Sequence, residues 1–137
     1  MGLTEAQAYA QGDCIVAQLP YGEMDRAVID DRTEGFCKLI VSKETHRLLG
    51  AQVVGEQAVE IIQLVAAGMA ADMKVEQLAD LEMAYPTYSA ILGRGAAGVP
   101  GVGRCAACCD RQCRSKRGRT AWPGTIQPAV GRFESPR

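Results

Sequence analysis

Every long apolar run in this chain lies before residue 72, at 14–19, 36–41, 48–54 and 58–71. A domain is held together by apolar surface withdrawn from water, so these segments decide where a core can form. Beyond residue 94 the chain is rich in Gly, Arg, Pro and Cys and shows no apolar period. Charge divides at the same place. Up to Leu92 there are 6 Lys and Arg against 14 Asp and Glu, a net of -8; from Gly93 onward there are 9 against 2, a net of +7. The overall charge of -1 therefore averages two different materials. A length of 137 residues suits one domain. The expectation is a folded unit at 1–94, followed by a disordered or non-native basic tail at 95–137.

Nothing at the start joins a basic leader to an apolar stretch and a cleavage site, so the expected compartment is the cytoplasm. The run at 58–71 is broken by Glu60, Gln63 and Gly68 and falls short of the roughly 20 residues that span a bilayer. No membrane partner is expected. Cys14 and Cys37 sit among apolar neighbours, where a reduced thiol behaves as a small hydrophobe, while Cys105, Cys108, Cys109 and Cys113 crowd the tail. His46 is the single histidine; with no second one for a metal pair, it reads as a solvated turn residue.

Thr4 and Gln7 have the form of a capping box, and Gly12 suits the end of a helix at 5–11. Residues 14–19 read as a strand stopped by Pro20 and Gly22, and 23–34 reads as an acidic connector. Two β-rich runs, 36–41 and 48–54, flank the polar 42–47 and form a hairpin. From 56 to 71 the polar positions Glu56, Glu60 and Gln63 make one thin wet stripe on a helix. Ile61, Ile62, Leu64, Val65 and Met69 then need cover on a second side, which subunit association would supply. Short helices follow at 75–81 and at 87–92, the latter capped by Thr87 after Pro86. The fold class is α+β, an antiparallel sheet with helices packed on one side.

The stretches GLTEAQA, TEGFCKLIV, LLGAQVVG and YPTYS, in this order and spacing over residues 2–94, resemble the carboxy-terminal dimerisation domain of the pyridine nucleotide-disulfide oxidoreductases. That group includes dihydrolipoamide dehydrogenase, glutathione reductase and mercuric reductase. Intact members carry an FAD domain with a GxGxxG turn and a Cys-x4-Cys redox pair, and a second domain for NAD(P). None of these motifs is present. The Gly-rich run GRGAAGVPGVG follows no strand, so its amides are not aimed at a pyrophosphate. The chain is expected to bind no cofactor alone and to be inactive alone, FAD and NAD(P) being implied only for the intact enzyme.

The resemblance implies a homodimer in which Tyr85 and Pro86 lie against the partner's flavin. Many relatives have a histidine at the position of Tyr85 and a glutamate at that of Ala90, so no catalytic residue carries over. A phenol donates a hydrogen bond but is a poor base at neutral pH, which argues against dithiol substrates and for other acceptors such as metal ions or quinone-like molecules. A second reading is a subunit of a split enzyme, completed by a separate chain that binds FAD and NAD(P). In the tail, Cys108 and Cys109 resemble the adjacent pair that mercuric reductases carry after this domain, with Arg104, Arg111 and Arg114 to favour thiolates. The composition also fits a shifted reading frame. No specific nucleic-acid partner is expected, because basic charge comes without a folded reader.

Overall fold

The computed structural model describes residues 1–102. Helix α1 (Glu5–Gln11) opens with the expected capping box, in which the Gln7 amide donates to Thr4 Oγ1 at 3.3 Å and the Thr4 amide to Gln7 Oε1 at 2.9 Å. Strands β1 (Cys14–Pro20), β2 (Gly35–Ser42) and β3 (Leu48–Gly55) form an antiparallel sheet in that order. Val16 pairs with Ile40, and Leu39 pairs with Ala51. The remaining helices are α2 (Asp25–Ile29), α3 (Ala58–Ala70), α4 (Val75–Asp80) and α5 (Ala90–Ala97).

Successive strand residues face opposite ways, and β2 sorts its side chains accordingly. Cys37, Leu39 and Val41 enter the main core with Ile61 and Val65 of α3, Leu78 of α4, and Ile91 and Leu92 of α5. Ile40 points to the other face, where it meets Ala8 of α1 and Cys14. Lys38 shares that second face and reaches Glu5 at 2.9 Å. Helices α3, α4 and α5 therefore pack on one side of the sheet, as expected, and α1 adds a smaller patch on the other. The first residues extend the sheet: Leu3 donates to Leu49 O, and Ala51 donates to Met1 O, each at 2.9 Å. Only glycine permits this approach, since a Cβ on Gly50 would sit 2.2 Å from the Leu3 carbonyl oxygen.

Several expectations need correction. The connector at 23–34 contains α2, a five-residue helix whose N-cap Met24 has no capping side chain. The last helix begins at Ala90 rather than 87; Ser89, not Thr87, occupies its N-cap, and it continues to Ala97 before Gly98 ends it. Packing also continues past residue 94, because Val99 and Val102 are both buried. Gly93 and Gly95, from the Gly-rich run that follows no strand, lie inside α5, and a Cβ on Gly95 would meet Leu39 Cδ1 at 3.4 Å, so the helix lies directly on β2 there.

His46 is another. It occupies the hairpin tip with φ 58°, but it is not simply solvated. Its carbonyl accepts from the Val75 amide at 2.8 Å, and its Nδ1 meets the Glu76 carboxylate. Arg47 pairs with Asp72 beside it. Together these contacts fasten the β2–β3 turn to the start of α4. The hydrogen bond with His46 is the main reason the Glu76 carboxyl is held below its ordinary range.

Two measurements check this architecture. Gly55 has φ 138°, and a Cβ there would lie 2.7 Å from the Tyr21 ring. Gly55→Ala is expected to cost about 1–3 kcal/mol in urea unfolding, whereas Gly22→Ala, with no neighbour nearer than 3.9 Å, leaves the midpoint in place. Because folding lowers the Glu76 pKa, its stabilisation is fully present above the unfolded value of 4.5 and is lost as pH falls through the lower folded one. The unfolding-midpoint gap between wild type and Glu76→Gln should thus be open at neutral pH and close on acidification; a gap that is constant with pH would remove the pair from the account.

Candidate interface face and YPT turn

The segment between α4 and α5 carries the YPTYS motif, and it separates its two tyrosines sharply. Tyr88 is 3% exposed and Tyr85 is 77% exposed. The Tyr88 hydroxyl donates to Asp30 Oδ2 at 3.0 Å, and the Arg26 guanidinium holds the same oxygen from one turn earlier in α2 at 2.8 Å. The Tyr88 ring lies 5.9 Å from that of Tyr21, whose hydroxyl donates to the Glu56 carbonyl at 2.8 Å. Arg94 of α5 donates to the Glu23 carbonyl at 2.6 Å. The root of the turn is thus bolted to α2 and to the approach of α3.

Burial pushes the Tyr21 hydroxyl up to about 12, with Cys37 and Tyr88 adding to the shift. Removal from water, then the Asp30 carboxylate, raises Tyr88 as well. Both phenols stay protonated at neutral pH and serve as donors. Above this root, Tyr85 and Pro86 are joined by a cis peptide and stand exposed to solvent. Ala90, the first residue of α5, is partly buried against the core and carries no polar group.

Neither Tyr88 nor Asp30 stood out in the sequence as a site residue. Tyr88 sits in a motif whose first half carries the site residues, and Asp30 is one acid among many in a segment that reads as a connector. The signal available was a second tyrosine three residues after the first, just before an apolar helix.

Helix α3 is incompletely covered. Ile61 and Val65 are fully buried, and Ile62 and Met69 pack partly against the core, so four of the five residues expected to need outside cover find much of it within the chain. Leu64 remains 39% exposed, and Val59, at 69%, joins it. Val54 at the end of β3 is 53% exposed as well, but on the other face of the sheet, opposite Phe36. A shallow open groove lined by Met1, Gln52, Val53, Ala58, Val59 and Ile62 runs between β3 and α3. This face is apolar, interrupted by Glu60 and Gln63, and is not sealed by the described residues.

Cys14 and Cys37 are both unpaired and buried. Burial raises each thiol, Cys37 to about 12, which leaves them protonated and unreactive. Among the described residues no group of three His, Cys, Asp or Glu is placed to hold a metal ion, and no helix is long and apolar enough to cross a membrane. Cys105, Cys108, Cys109 and Cys113 lie outside the described residues.

Comparison with known proteins agrees with this arrangement. Residues 1–94 match the family described as the pyridine nucleotide-disulphide oxidoreductase dimerisation domain. A dihydrolipoyl dehydrogenase of Staphylococcus aureus is 43% identical over 88 residues, 64% of this chain and 19% of that protein. Dihydrolipoyl dehydrogenase 3 of Haloarcula marismortui is 36% identical over 90 residues, 65% of this chain and 19% of its own length. Among solved structures, the HOCl-induced flavoprotein disulfide reductase RclA of Escherichia coli superposes with a TM-score of 0.68 at 33% identity, covering 70% of this chain and 22% of that one. The chain spans about a fifth of the length of the relatives it matches. With its three-stranded antiparallel sheet, its flanking helices and its anchored YPT turn, this chain belongs to the dimerisation domain family of the pyridine nucleotide-disulphide oxidoreductases.

Proposed function

We propose that this chain is the interface part of a flavin-dependent NAD(P)H oxidoreductase, inactive by itself, which pairs through the open side of α3 and lends Tyr85 and Pro86 as a wall to the flavin site of the other half of a dimer. The observation that carries the reading is the contrast within one motif: Tyr88 is locked to Asp30 while Tyr85 is 77% exposed on the turn that Tyr88 anchors. An aromatic ring held outward in this way suits contact with a flat partner surface. FAD and NAD(P), bound by the remainder of the enzyme, would supply hydride and electron transfer. The residues here fit such a cofactor as one wall only, because the exposed turn offers a ring and a proline and no phosphate-binding loop.

Within that site Tyr85 donates a hydrogen bond and does not act as a base at neutral pH, and Ala90 cannot orient it. The proposed acceptor is accordingly something other than a dithiol, with metal ions and quinone-like molecules the classes that need no thiol proton shuttled. RclA, similar in fold and sequence, has been solved as a Cu(II) complex. Cytoplasmic location is part of the same proposal. If the remainder of the enzyme is a separate polypeptide, the same face serves a hetero-assembly.

The test is hydrodynamic and spectroscopic. Sedimentation should show self-association at micromolar concentration, and Val59→Glu with Leu64→Glu should weaken it at least about tenfold without altering the circular dichroism spectrum. The purified chain should be colourless and should not oxidise NAD(P)H. A yellow preparation with bound FAD and turnover would overturn the proposal, as would a monomer at high concentration that also fails to bind an FAD- and NAD(P)-binding polypeptide.

A further inference from the structure

Beyond the dimer face, the domain has an acidic end that the interface reading does not use. Pro20 pairs with Phe36, Phe36 with Val54, and Gly35 with Gly55, so α2, the start of β2 and the end of β3 gather at one end of the sheet, opposite the hairpin tip at His46. Glu23, Asp25, Asp31, Glu34 and Glu56 are all exposed there. Arg26 is committed to Asp30, Arg94 reaches in from α5 to the Glu23 carbonyl, and Arg32 is the exposed guanidinium of α2 and its following turn, so three guanidiniums stand against six carboxylates there. Amid these carboxylates two apolar side chains stand out of the protein, Val28 at 57% and Ile29 at 64%. An apolar pair ringed by acids asks for an occupant that is basic and carries an apolar group.

Such a segment lies in the same chain. Residues 1–102 hold 7 Lys and Arg against 14 Asp and Glu, and residues 103–137 hold 8 against 2, so -7 faces +6. Arg111, Arg114, Lys116, Arg117 and Arg119 fall within nine consecutive residues, and the one tryptophan, Trp122, follows three residues later. Reach is sufficient. The described chain leaves off near the hairpin tip, where a Cβ on Gly101 would lie 3.7 Å from the His46 ring. The eight residues of β2 span about 27 Å at roughly 3.4 Å each, and Arg111 already stands nine residues beyond Val102, a tether of up to about 30 Å. We propose that the basic segment 103–137 docks on the acidic end of its own domain, with Arg111 to Arg119 among the carboxylates of α2 and its following turn, and Trp122 against Val28 and Ile29. The inference does not depend on the dimer or flavin reading.

Trp122 is the probe, used in the full chain under reducing conditions. At low ionic strength its acrylamide quenching should be suppressed and its anisotropy raised; 1 M NaCl, where screening shortens to about 3 Å, should increase the quenching constant about twofold or more. The variant Asp25→Asn/Asp31→Asn/Glu34→Gln, which alters only exposed groups, should show the high-salt value already at low salt. A control at the far end, Asp13→Asn/Glu44→Gln, should behave as wild type. Lys116 is the only lysine after Val102, so carbodiimide coupling gives an independent readout, with links expected to Asp25, Asp31 or Glu34. Quenching insensitive to salt would overturn the proposal. So would links confined to Asp13, Glu44 or Asp72, or protection that appears only as protein concentration rises, which would mean binding to a second copy.

Discussion

Strand β2 is the part on which the rest of this domain depends, because it is buried on both faces. Leu39, Ile40 and Val41 are each fully covered, with Leu39 and Val41 under the helices and Ile40 over Ala8 and Cys14. Apolar residues on both faces give strong cohesion but weak instruction about register, since sliding by one position exchanges one hydrophobe for another. Register must come from the neighbours. Lys38 needs the face where Glu5 waits, Gly35 and Gly55 must oppose each other, and the bulge between Ile40 and Val41 absorbs the mismatch before the turn. The glycine pair is placed where backbones or rings come too close for a Cβ, as at Gly55 beside Tyr21.

Much of this could be read in advance. The capping box of α1, the two hairpin strands and the long helix came out within two residues of their observed limits, because each is marked by a local signal: a paired side chain and amide, or a β-rich run bounded by polar residues. What escaped shares a physical cause. Asp31, His46, Gln57 and Asp72 all adopt left-handed backbone angles without being glycine, so the turns they make carry no glycine to announce them. Helices α2 and α5 start without a capping side chain, which removes the other usual marker. His46 gained a partner from a helix 30 residues away, a contact that no local pattern encodes.

The exposed side of α3 illustrates how periodicity overstates a surface. Counted along the helix, five large apolar residues lacked an obvious home, yet Ile61 and Val65 go wholly into the core and Ile62 and Met69 partly so. What stays outside is narrower, Val59 and Leu64, and polar residues break it. A strip of that size is tolerable in a single molecule in water, which is compatible with an assembly whose strength comes from a few anchors rather than from a broad greasy face.

The YPTYS turn shows why an outward anchor needs an inward one. A ring that is to contact another surface loses conformational freedom on binding, and that loss is smaller when its backbone is already held. Here the restraint is supplied three residues downstream, by a tyrosine whose hydroxyl is bonded to Asp30 and whose ring lies near Tyr21, while the Arg26 that holds the same carboxylate comes from a helix invisible in the sequence. In the proposed role Tyr85 does no proton chemistry, so its value lies in position. Position in turn is a property of Tyr88, Asp30 and Arg26, so the motif works only because Asp30 and Arg26, which lie outside it, hold its second tyrosine.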